Sequence, residues 1–334
     1  VLSGSYQAQA GGSYHFVDNF ADRYIRDLTN RKPFKRKIKA IAACGNGTAG
    51  AFAPQILRAL GVDLIEMDTT PDFTFPHYNP NPEDMKMLHA MADRVRETGA
   101  DLALGFDGDG DRCGVVDNEG NEIFADKIGV MLARDLSSLH KDTVFIADVK
   151  STGLFATDPV LIKNGAKTDF WKTGHSYIKR RVTDLKALAG FEKSGHFFFN
   201  APIGRGYDDG LVTALCVLDM LDRNPDKSMA DLYRALPVTY GSPTMAPHCP
   251  DEVKYGVVDR IVAKIQAMHA KGEKIAGQAI TAVVTVNGVR VSVEDGTWGL
   301  VRASSNKPEL VVVVESPVSK QRMRTMFEDL DALL

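Results

Sequence analysis

Residues 103–112, with the sequence ALGFDGDGDR, place three aspartates at alternate positions directly after a short apolar run. Carboxylates this close together repel one another, so a compact loop that contains them requires a cation or strong hydrogen-bond donors. The intervening glycines permit positive φ angles, which allows the loop to bring Asp107, Asp109 and Asp111 to one point. Mg²⁺ is the expected ion, because it is commonly held by few carboxylates and completed by water and phosphate oxygens.

Two other interpretations of this acidic loop (residues 107–111) are less consistent with the residues. An EF-hand loop requires glycine at its sixth position and glutamate at its twelfth, where this sequence has Arg112 and Asn118. An ordinary acidic turn explains one or two aspartates beside glycine, but not three in strict alternation followed at once by arginine. The Arg112 guanidinium would suit a phosphate group beside the cation.

The composition excludes several classes of protein. A chain of 334 residues with 44% hydrophobic and 25% charged residues is expected to form two or three soluble globular domains. A net charge of −3 argues against general binding of nucleic acid or anionic membranes, so any phosphate site must be local.

The expected location is the cytoplasm. The four cysteines are scattered without a C-x-x-C motif, which indicates neither a zinc site nor a disulfide framework and fits a reducing compartment. No apolar run approaches the ~20 residues of a membrane-spanning helix. The sequence begins with Val1 rather than methionine, from which we expect cleavage or processing upstream.

The elements that must position the acidic loop alternate between strand and helix. Apolar runs over residues 38–43, 62–67 and 101–106, separated by predicted helices, indicate a mostly parallel sheet in an α/β domain. The acidic loop then lies at the carboxyl end of a strand, where ligands bind in such sheets. A helix over residues 17–28 is predicted to face the core, and the glycine-rich turn at residues 45–50 is a tight βα turn or, less favoured, a phosphate site.

The same alternation repeats in a second predicted α/β domain, which offers further polar side chains after its strands. Lys150 follows one strand and His175 lies in a later loop, although a solvated lysine and a surface histidine are equally ordinary interpretations. Glu192, Ser194 and His196 project to one side if their backbone is extended, a set suited to sugar hydroxyls and proton transfer.

The last part of the chain is predicted to be an α+β domain on an antiparallel sheet, with a hairpin turn at Asn287-Gly288. Between two of its strands lies the basic loop (residues 302–308), in which a guanidinium, hydroxyls, an amide and an ammonium suit a phosphate monoester. Chance turn chemistry is the alternative. The candidate ligands are Arg302, Ser304, Ser305, Asn306 and Lys307.

Taken in order, these motifs resemble the α-D-phosphohexomutase family, which contains phosphoglucomutases, phosphomannomutases and phosphoglucosamine mutases. The resemblance covers the chain from about residue 35 to its end and is closest to the phosphomannomutase/phosphoglucomutase branch. It implies magnesium ligation by the three aspartates, a phosphate-facing Arg112, an active-site Lys150, and substrate contacts that are listed here: His175, Glu192, Ser194, His196, Arg302, Ser304, Ser305 and Asn306.

The resemblance also implies three domains and a missing one. The implied boundaries are an α/β domain at 1–121, a second α/β domain at 122–238, and an α+β domain at 239–334. The family's first domain, with its T-A-S-H-N-P phosphoserine loop, has no counterpart here, so a missing N-terminal domain of the same polypeptide is expected. Smaller departures are Phe191 and Lys193, and Ser305-Asn306-Lys307 in place of Asn-Thr-Thr.

The implied activity is interconversion of hexose 1-phosphate and hexose 6-phosphate through a phosphoserine and a bisphosphate intermediate, with glucose or mannose as the sugar. Lys150, His196 and Arg112 are the implied catalytic residues, and Lys150 and His196 both remain candidates for the general base. The fragment alone is expected to be inactive. A phosphoglucosamine mutase and a non-catalytic sugar-phosphate-binding protein are the alternatives.

Overall fold

The structure, a computed structural model, describes residues 10–333 together with Gly4 and Gln7. Val1, on which the expectation of upstream processing rests, lies outside the described residues. Within the described part, the larger sheets have five, four and six strands and follow one another along the chain. The first two mix parallel and antiparallel strands and the third is antiparallel, which confirms the predicted fold class.

The first sheet has the order β2-β1-β3-β4-β5, with β1 parallel to both β2 and β3. Strands β3 and β4 are buried at every residue, as expected for a sheet covered on both faces. The antiparallel strand β4 was not predicted, and its pairing with β3 makes the acidic loop a hairpin connection. The strands are β1 Lys39–Ala43, β2 Asp63–Met67, β3 Leu102–Phe106, β4 Cys113–Asp117 and β5 Glu122–Ile123.

Helices α1 Phe20–Thr29, α2 Ala53–Ala59 and α3 Met85–Thr98 accompany this sheet. Helix α3 is capped by Asp84, whose carboxylate accepts from two backbone N–H groups of the first turn. Helix α1 faces the core through Tyr24, Ile25 and Leu28, as predicted, but it begins at Phe20 rather than at residue 17. It contains no fully buried residue, because only one edge of it packs on the core.

The second sheet has the order β7-β6-β8-β9, with β9 antiparallel to β8. Residues 192–196, predicted to be extended, instead form a tight turn between β8 and β9, in which the Gly195 N–H donates to the Glu192 carbonyl at 3.0 Å. The strands are β6 Val144–Asp148, β7 Lys167–Trp171, β8 Ala189–Phe191 and β9 Phe197–Phe199. The helices are α4 Ala125–Leu139, α5 Leu154–Thr157, α6 Pro159–Lys163, α7 His175–Asp184, α8 Gly210–Asp222 and α9 Met229–Arg234.

The third sheet has the order β10-β15-β14-β13-β12-β11 and packs against helices α10 Asp251–Ala270 and α11 Lys320–Asp331. The predicted hairpin turn is confirmed between β12 and β13, where Gly288 has φ 70°. The basic loop connects β14 to β15. The strands are β10 Tyr240–Gly241, β11 Lys274–Ile275, β12 Gln278–Val284, β13 Val289–Val293, β14 Trp298–Ala303 and β15 Leu310–Ser316.

The first two sheets are joined at the acidic loop. The Gly210 N–H donates to the Gly110 carbonyl at 3.0 Å, and Arg112 forms an isolated antiparallel bridge with His196. The carboxyl ends of β3, β6 and β8 therefore open toward one region. None of the helices within residues 10–333 combines the length and the apolar character needed to cross a lipid bilayer.

Candidate active site

The acidic loop brings its three carboxylates together, as the alternation of Asp and Gly predicts. One ligand oxygen from each of Asp107, Asp109 and Asp111 lies within 4.8 Å of the others. The Oδ1 atom of Asp111 is buried and has no hydrogen-bond partner among the described residues. Burial raises the pKa of Asp111 to about 6, and the charges of Asp107 and Asp109 add to the shift. These residues fit a hard divalent cation, which would satisfy the unpaired oxygen and relieve the repulsion.

The turn after β1, at residues 45–50, packs directly against the acidic loop. The Thr48 N–H donates to the Gly108 carbonyl at 3.0 Å. A Cβ atom at Gly47 would lie 2.8 Å from the Asp107 carbonyl oxygen, so only glycine allows this approach. The geometry is that of a tight turn packed on the acidic loop, the favoured one of the two interpretations of this stretch.

Arg112 contacts the acidic loop directly. Its Nε donates to Asp107 Oδ2 at 2.6 Å, and its backbone N–H donates to Asp107 Oδ1 at 3.1 Å. One terminal nitrogen also donates to Asn81 Oδ1 at 3.1 Å. The guanidinium therefore compensates part of the negative charge and lies at the rim of the loop; its predicted role toward phosphate stays a prediction.

His196 lies between the acidic loop and a carboxylate that the sequence prediction missed. Its Nδ1 is 3.0 Å from Asp208 Oδ2 and 3.5 Å from Asp111 Oδ1. Burial lowers the pKa of His196, but the hydrogen bond to Asp208 and the charge of Asp111 outweigh that effect, so the pKa is raised overall. The His175 ring stacks on the His196 ring at 5.8 Å, and its Nδ1 lies 3.7 Å from Asp208 Oδ2.

Glu192 is a buried carboxylate with two fixed donors. Its Oε1 accepts from the Gly174 N–H at 2.8 Å, and its Oε2 accepts from the Ser194 hydroxyl at 3.1 Å. Burial raises the pKa of Glu192 to about 7, and the charge of Asp148 adds to the shift. Ser194 and Glu192 thus form a joined pair with remaining capacity to contact hydroxyl groups.

Lys150 lies just beyond β6, where the strand ends in the fully buried Asp148. Its Nζ is 3.9 Å from Asp148 Oδ2, and its side chain is 12% exposed. Asp148 also accepts from the hydroxyls of Ser151 and Thr173, which belong to two different loops. The lysine side chain is therefore mostly enclosed by the protein rather than solvated, as the alternative interpretation had it.

The basic loop presents one half-buried cation and several exposed donors. Arg302 donates to the Ala303 carbonyl at 3.0 Å, while its Nε is buried without a hydrogen-bond partner among the described residues. Burial lowers the pKa of Arg302, whereas the charges of Asp148 and Glu192 oppose that effect. Ser304 is buried, and residues 305–308 are exposed.

The candidate residues form one continuous electrostatic group across the three sheets. Asp111 contacts His196, the charge of His196 acts on Glu192, and the charge of Glu192 acts on Arg302. Lys150 also acts on Glu192. The acidic loop, His196, Glu192, Lys150 and Arg302 are therefore near enough to one another for each charge to act on the next.

Two carboxylates of this group, Asp148 and Asp208, were absent from the sequence-based site. Asp148 precedes Lys150 by two residues at the end of a strand, so its position was a usable signal. The N-cap of α8 is Asp209, whose carboxylate accepts from the N–H groups of Leu211 and Val212. Its neighbour Asp208 had no local signal, because it meets His196 only in the folded chain.

Family models match nearly the whole described chain. Residues 22–120 match phosphoglucomutase/phosphomannomutase alpha/beta/alpha domain II, residues 124–240 match domain III, and residues 252–333 match the C-terminal domain.

Among known proteins, a phosphomannomutase/phosphoglucomutase of Pseudomonas syringae pv. tomato is 35% identical over 306 residues, which cover 92% of this chain and 62% of that protein. A phosphoglucomutase of Neisseria meningitidis serogroup A is 32% identical, with 93% of this chain and 65% of that protein covered.

A solved phosphoglucomutase/phosphomannomutase family protein of Burkholderia thailandensis superimposes with a TM-score of 0.82 at 30% identity. The superposition covers 94% of this chain and 64% of that one. This chain therefore spans somewhat less than two thirds of the length of these relatives. Since the matched regions follow one another in the family's own order, the chain belongs to the phosphoglucomutase/phosphomannomutase family of α-D-phosphohexomutases and corresponds to its domains II, III and IV.

Proposed function

We propose that this chain forms the sugar-phosphate and cation site of a hexose phosphate mutase that interconverts the 1-phosphate and 6-phosphate of glucose or mannose. The observation that carries the proposal is the series of interacting charged groups that runs from the acidic loop through His196 and Glu192 to the half-buried Arg302. A hexose phosphate combines an anionic end with neutral hydroxyl groups, and the site combines half-buried cations with a fixed carboxylate and hydroxyl.

In this proposal the substrate phosphate is held by the basic loop. The unpaired Arg302 Nε, the buried Ser304 and the exposed donors of Ser305 and Asn306 would bind phosphate oxygens. Glu192 would accept from ring hydroxyls, with Ser194 fixed beside it. Since this grip does not depend on which carbon carries the phosphate, it can serve both poses that a 1,6-exchange requires.

The acidic loop would hold Mg²⁺ through Asp107, Asp109 and Asp111. When bound, such an ion neutralises charge on the transferring phosphoryl oxygens. Arg112, fixed by Asp107, lies beside that position.

The phosphoryl donor in this proposal is a phosphoserine on a segment that the present sequence does not contain. The serine P–O bond breaks as a P–O bond forms to the sugar hydroxyl, and Lys150 or His196 takes the proton of that hydroxyl. The second phosphate of the bisphosphate then returns to the serine by the same route.

The relatives described above favour glucose or mannose over glucosamine, because they are a phosphomannomutase/phosphoglucomutase and a phosphoglucomutase. This supports glucose or mannose, rather than glucosamine, as the sugar of the substrate.

The test has two arms on the same protein. Calorimetry with glucose 1-phosphate and MgCl₂ is expected to show binding by this chain, with mannose 1-phosphate bound comparably and glucosamine 1-phosphate bound more weakly. Conversion of glucose 1-phosphate is expected only when a phosphoserine domain, for example that of the Pseudomonas syringae relative, is supplied. Binding without conversion under that condition would favour a sugar-phosphate-binding role, and absence of binding would refute the proposal.

A further inference from the structure

The loop that carries Lys150 is held at both ends by two side chains of the third sheet. Arg290, on β13, donates through one terminal nitrogen to the Val149 carbonyl at 2.8 Å and to the Ser151 carbonyl at 2.7 Å. These carbonyls belong to the residues on either side of Lys150. A single guanidinium from another sheet therefore fixes the backbone on both sides of the candidate catalytic lysine.

Arg290 is enclosed as a core residue is. It is 3% exposed, and its guanidinium carbon lies 3.6 Å from the Trp298 ring centroid and 4.0 Å from that of Phe170. Burial lowers the pKa of Arg290 to about 9, so the group is still charged at neutral pH. Burying a cation is costly unless its donors are satisfied, and within residues 10–333 the hydrogen bonds of this guanidinium go to the Lys150 loop. This free-energy cost is difficult to explain for a residue whose only role is packing.

Glu315, on β15, binds the other end of the same loop with the opposite polarity. Its Oε1 accepts from the Gly153 N–H at 2.7 Å and from the Thr152 hydroxyl at 3.0 Å. Its Oε2 accepts from Lys127 Nζ at 3.0 Å. The loop carbonyls thus face a cation and the loop amide faces an anion, so the loop is held from both directions.

The same sheet carries the Arg302 guanidinium. In the register of β13 and β14, Arg290 pairs with Leu300, two residues before Arg302, and Glu315 pairs with Trp298 across β14 and β15. We propose that Arg290 and Glu315 are positioning residues, which fix Lys150 relative to the phosphate-binding Arg302 by attaching its loop to the sheet that holds Arg302. This inference rests on the proposed function of Lys150 and Arg302.

Hydrogen exchange on the chain itself tests the attachment without any assay of activity. Arg290→Met is expected to accelerate exchange of peptides covering residues 149–153 by about 10-fold or more, and Arg290→Lys is expected to recover part of the protection. Arg322→Met is a matched control, because Arg322 donates to Asp295 and to the Ala276 carbonyl of the same domain without touching the loop. Unchanged exchange in Arg290→Met, or an equal acceleration in the control, would overturn the inference.

Turnover then tests the consequence. With a phosphoserine domain supplied, Arg290→Met is expected to lower kcat by about 10- to 100-fold with less than about a 3-fold change in KM, because the lysine moves while the substrate phosphate is still bound. An increase in KM with an unchanged kcat would overturn the positioning role. A wild-type chain without turnover would refute the proposed function, whereas the exchange result would still stand.

If Arg290→Met fails to fold, Glu315→Gln tests the other end of the loop. Glutamine keeps the size of the side chain and an acceptor for the Gly153 N–H, but it removes the charge that Lys127 faces. Faster exchange confined to residues 151–153 would support the inference, and exchange equal to that of the wild type would contradict it.

Discussion

The acidic and basic loops are opposite in charge, but each contains a buried polar atom that has no hydrogen-bond partner among the described residues. Asp111 has a buried oxygen without a partner and Arg302 has a buried nitrogen without one, within the part of the chain that the structure describes. Burial raises the pKa of Asp111 and lowers the pKa of Arg302, so in both groups it disfavours the charged form. Each loop would be stabilised by a ligand of opposite charge, a cation at one and an anion at the other. These complementary needs are what the proposed function expects of two loops that share one substrate.

The halves differ in how they are built. The acidic loop is a hairpin between the neighbouring strands β3 and β4, so its geometry depends on local residues. The charges that act on Arg302 come from Asp148, at the end of β6, and from Glu192, in the turn between β8 and β9. We therefore expect the acidic loop to tolerate changes elsewhere in the chain better than the basic loop does.

Asp109→Ala should remove most cation binding. Asp109 is exposed, so the substitution leaves the core intact while removing one of three ligands. Titration of the variant with MgCl₂ by calorimetry should show an affinity lower by about 100-fold or more. Asp259→Ala, at an exposed position of α10, is the matched control and should bind as the wild type does. Equal binding by Asp109→Ala would remove the acidic loop from the account.

Arg302→Met should weaken the anionic half alone. A charge-assisted hydrogen bond contributes about 1.5–3 kcal/mol, so glucose 1-phosphate should bind about 10- to 100-fold more weakly. The affinity for Mg²⁺ measured without the sugar phosphate should be unchanged. Arg324→Met, at an exposed arginine of the same domain, controls for the loss of net charge. If both variants weaken binding equally, the basic loop has no specific role.

Glu192→Gln should change how the free energy of unfolding depends on pH. Because the folded pKa of about 7 exceeds the ordinary value of 4.5, the stabilising contribution is complete below pH 4.5 and is lost as the pH rises toward 7. The wild type should therefore lose about 2 kcal/mol more unfolding free energy than the variant between pH 5 and pH 8.

The Glu192 measurement uses urea unfolding in the presence of a chelator, so that cation binding does not contribute. Glu252→Gln, at an exposed position of α10, should follow the wild-type curve. Parallel curves for wild type and Glu192→Gln would mean that burial of this carboxyl does not raise its pKa.

Ser305→Ala should have the smallest effect. Its hydroxyl is exposed and replaceable by water, so the affinity for glucose 1-phosphate should fall by about 3- to 10-fold, less than in Arg302→Met. Calorimetry under the same conditions measures the ratio. A larger loss than that of Arg302→Met would reverse the assignment of the dominant phosphate ligand.

Much of the fold follows from local features of the sequence. Apolar runs followed by turns and amphipathic segments indicated the parallel strands, and Asn287-Gly288 indicated the hairpin. Strand β4 was missed because five residues directly after a loop carry no periodicity that distinguishes a paired strand from a connection. The turn at residues 192–196 was missed because the bend is fixed by pairing of β8 with β9.

The site was predictable to the extent that its residues are adjacent in sequence. The alternation of aspartate and glycine was enough to predict Asp107, Asp109 and Asp111 as a cluster. The other site residues were predicted from the family resemblance, in which the motifs follow one another in the same order. Asp208 and Arg290 could not be found in this way, because the groups that they contact lie in distant segments and only folding brings them together.

A crystal structure of this chain with MgCl₂ and glucose 1-phosphate tests the central claim most directly, since it places both ligands at once. The account predicts a cation about 2.0–2.1 Å from oxygens of Asp107, Asp109 and Asp111, and a phosphate within hydrogen-bond distance of Arg302 Nε. A phosphate bound away from the basic loop, or a cation bound away from the acidic loop, would contradict the claim that the two loops form one site.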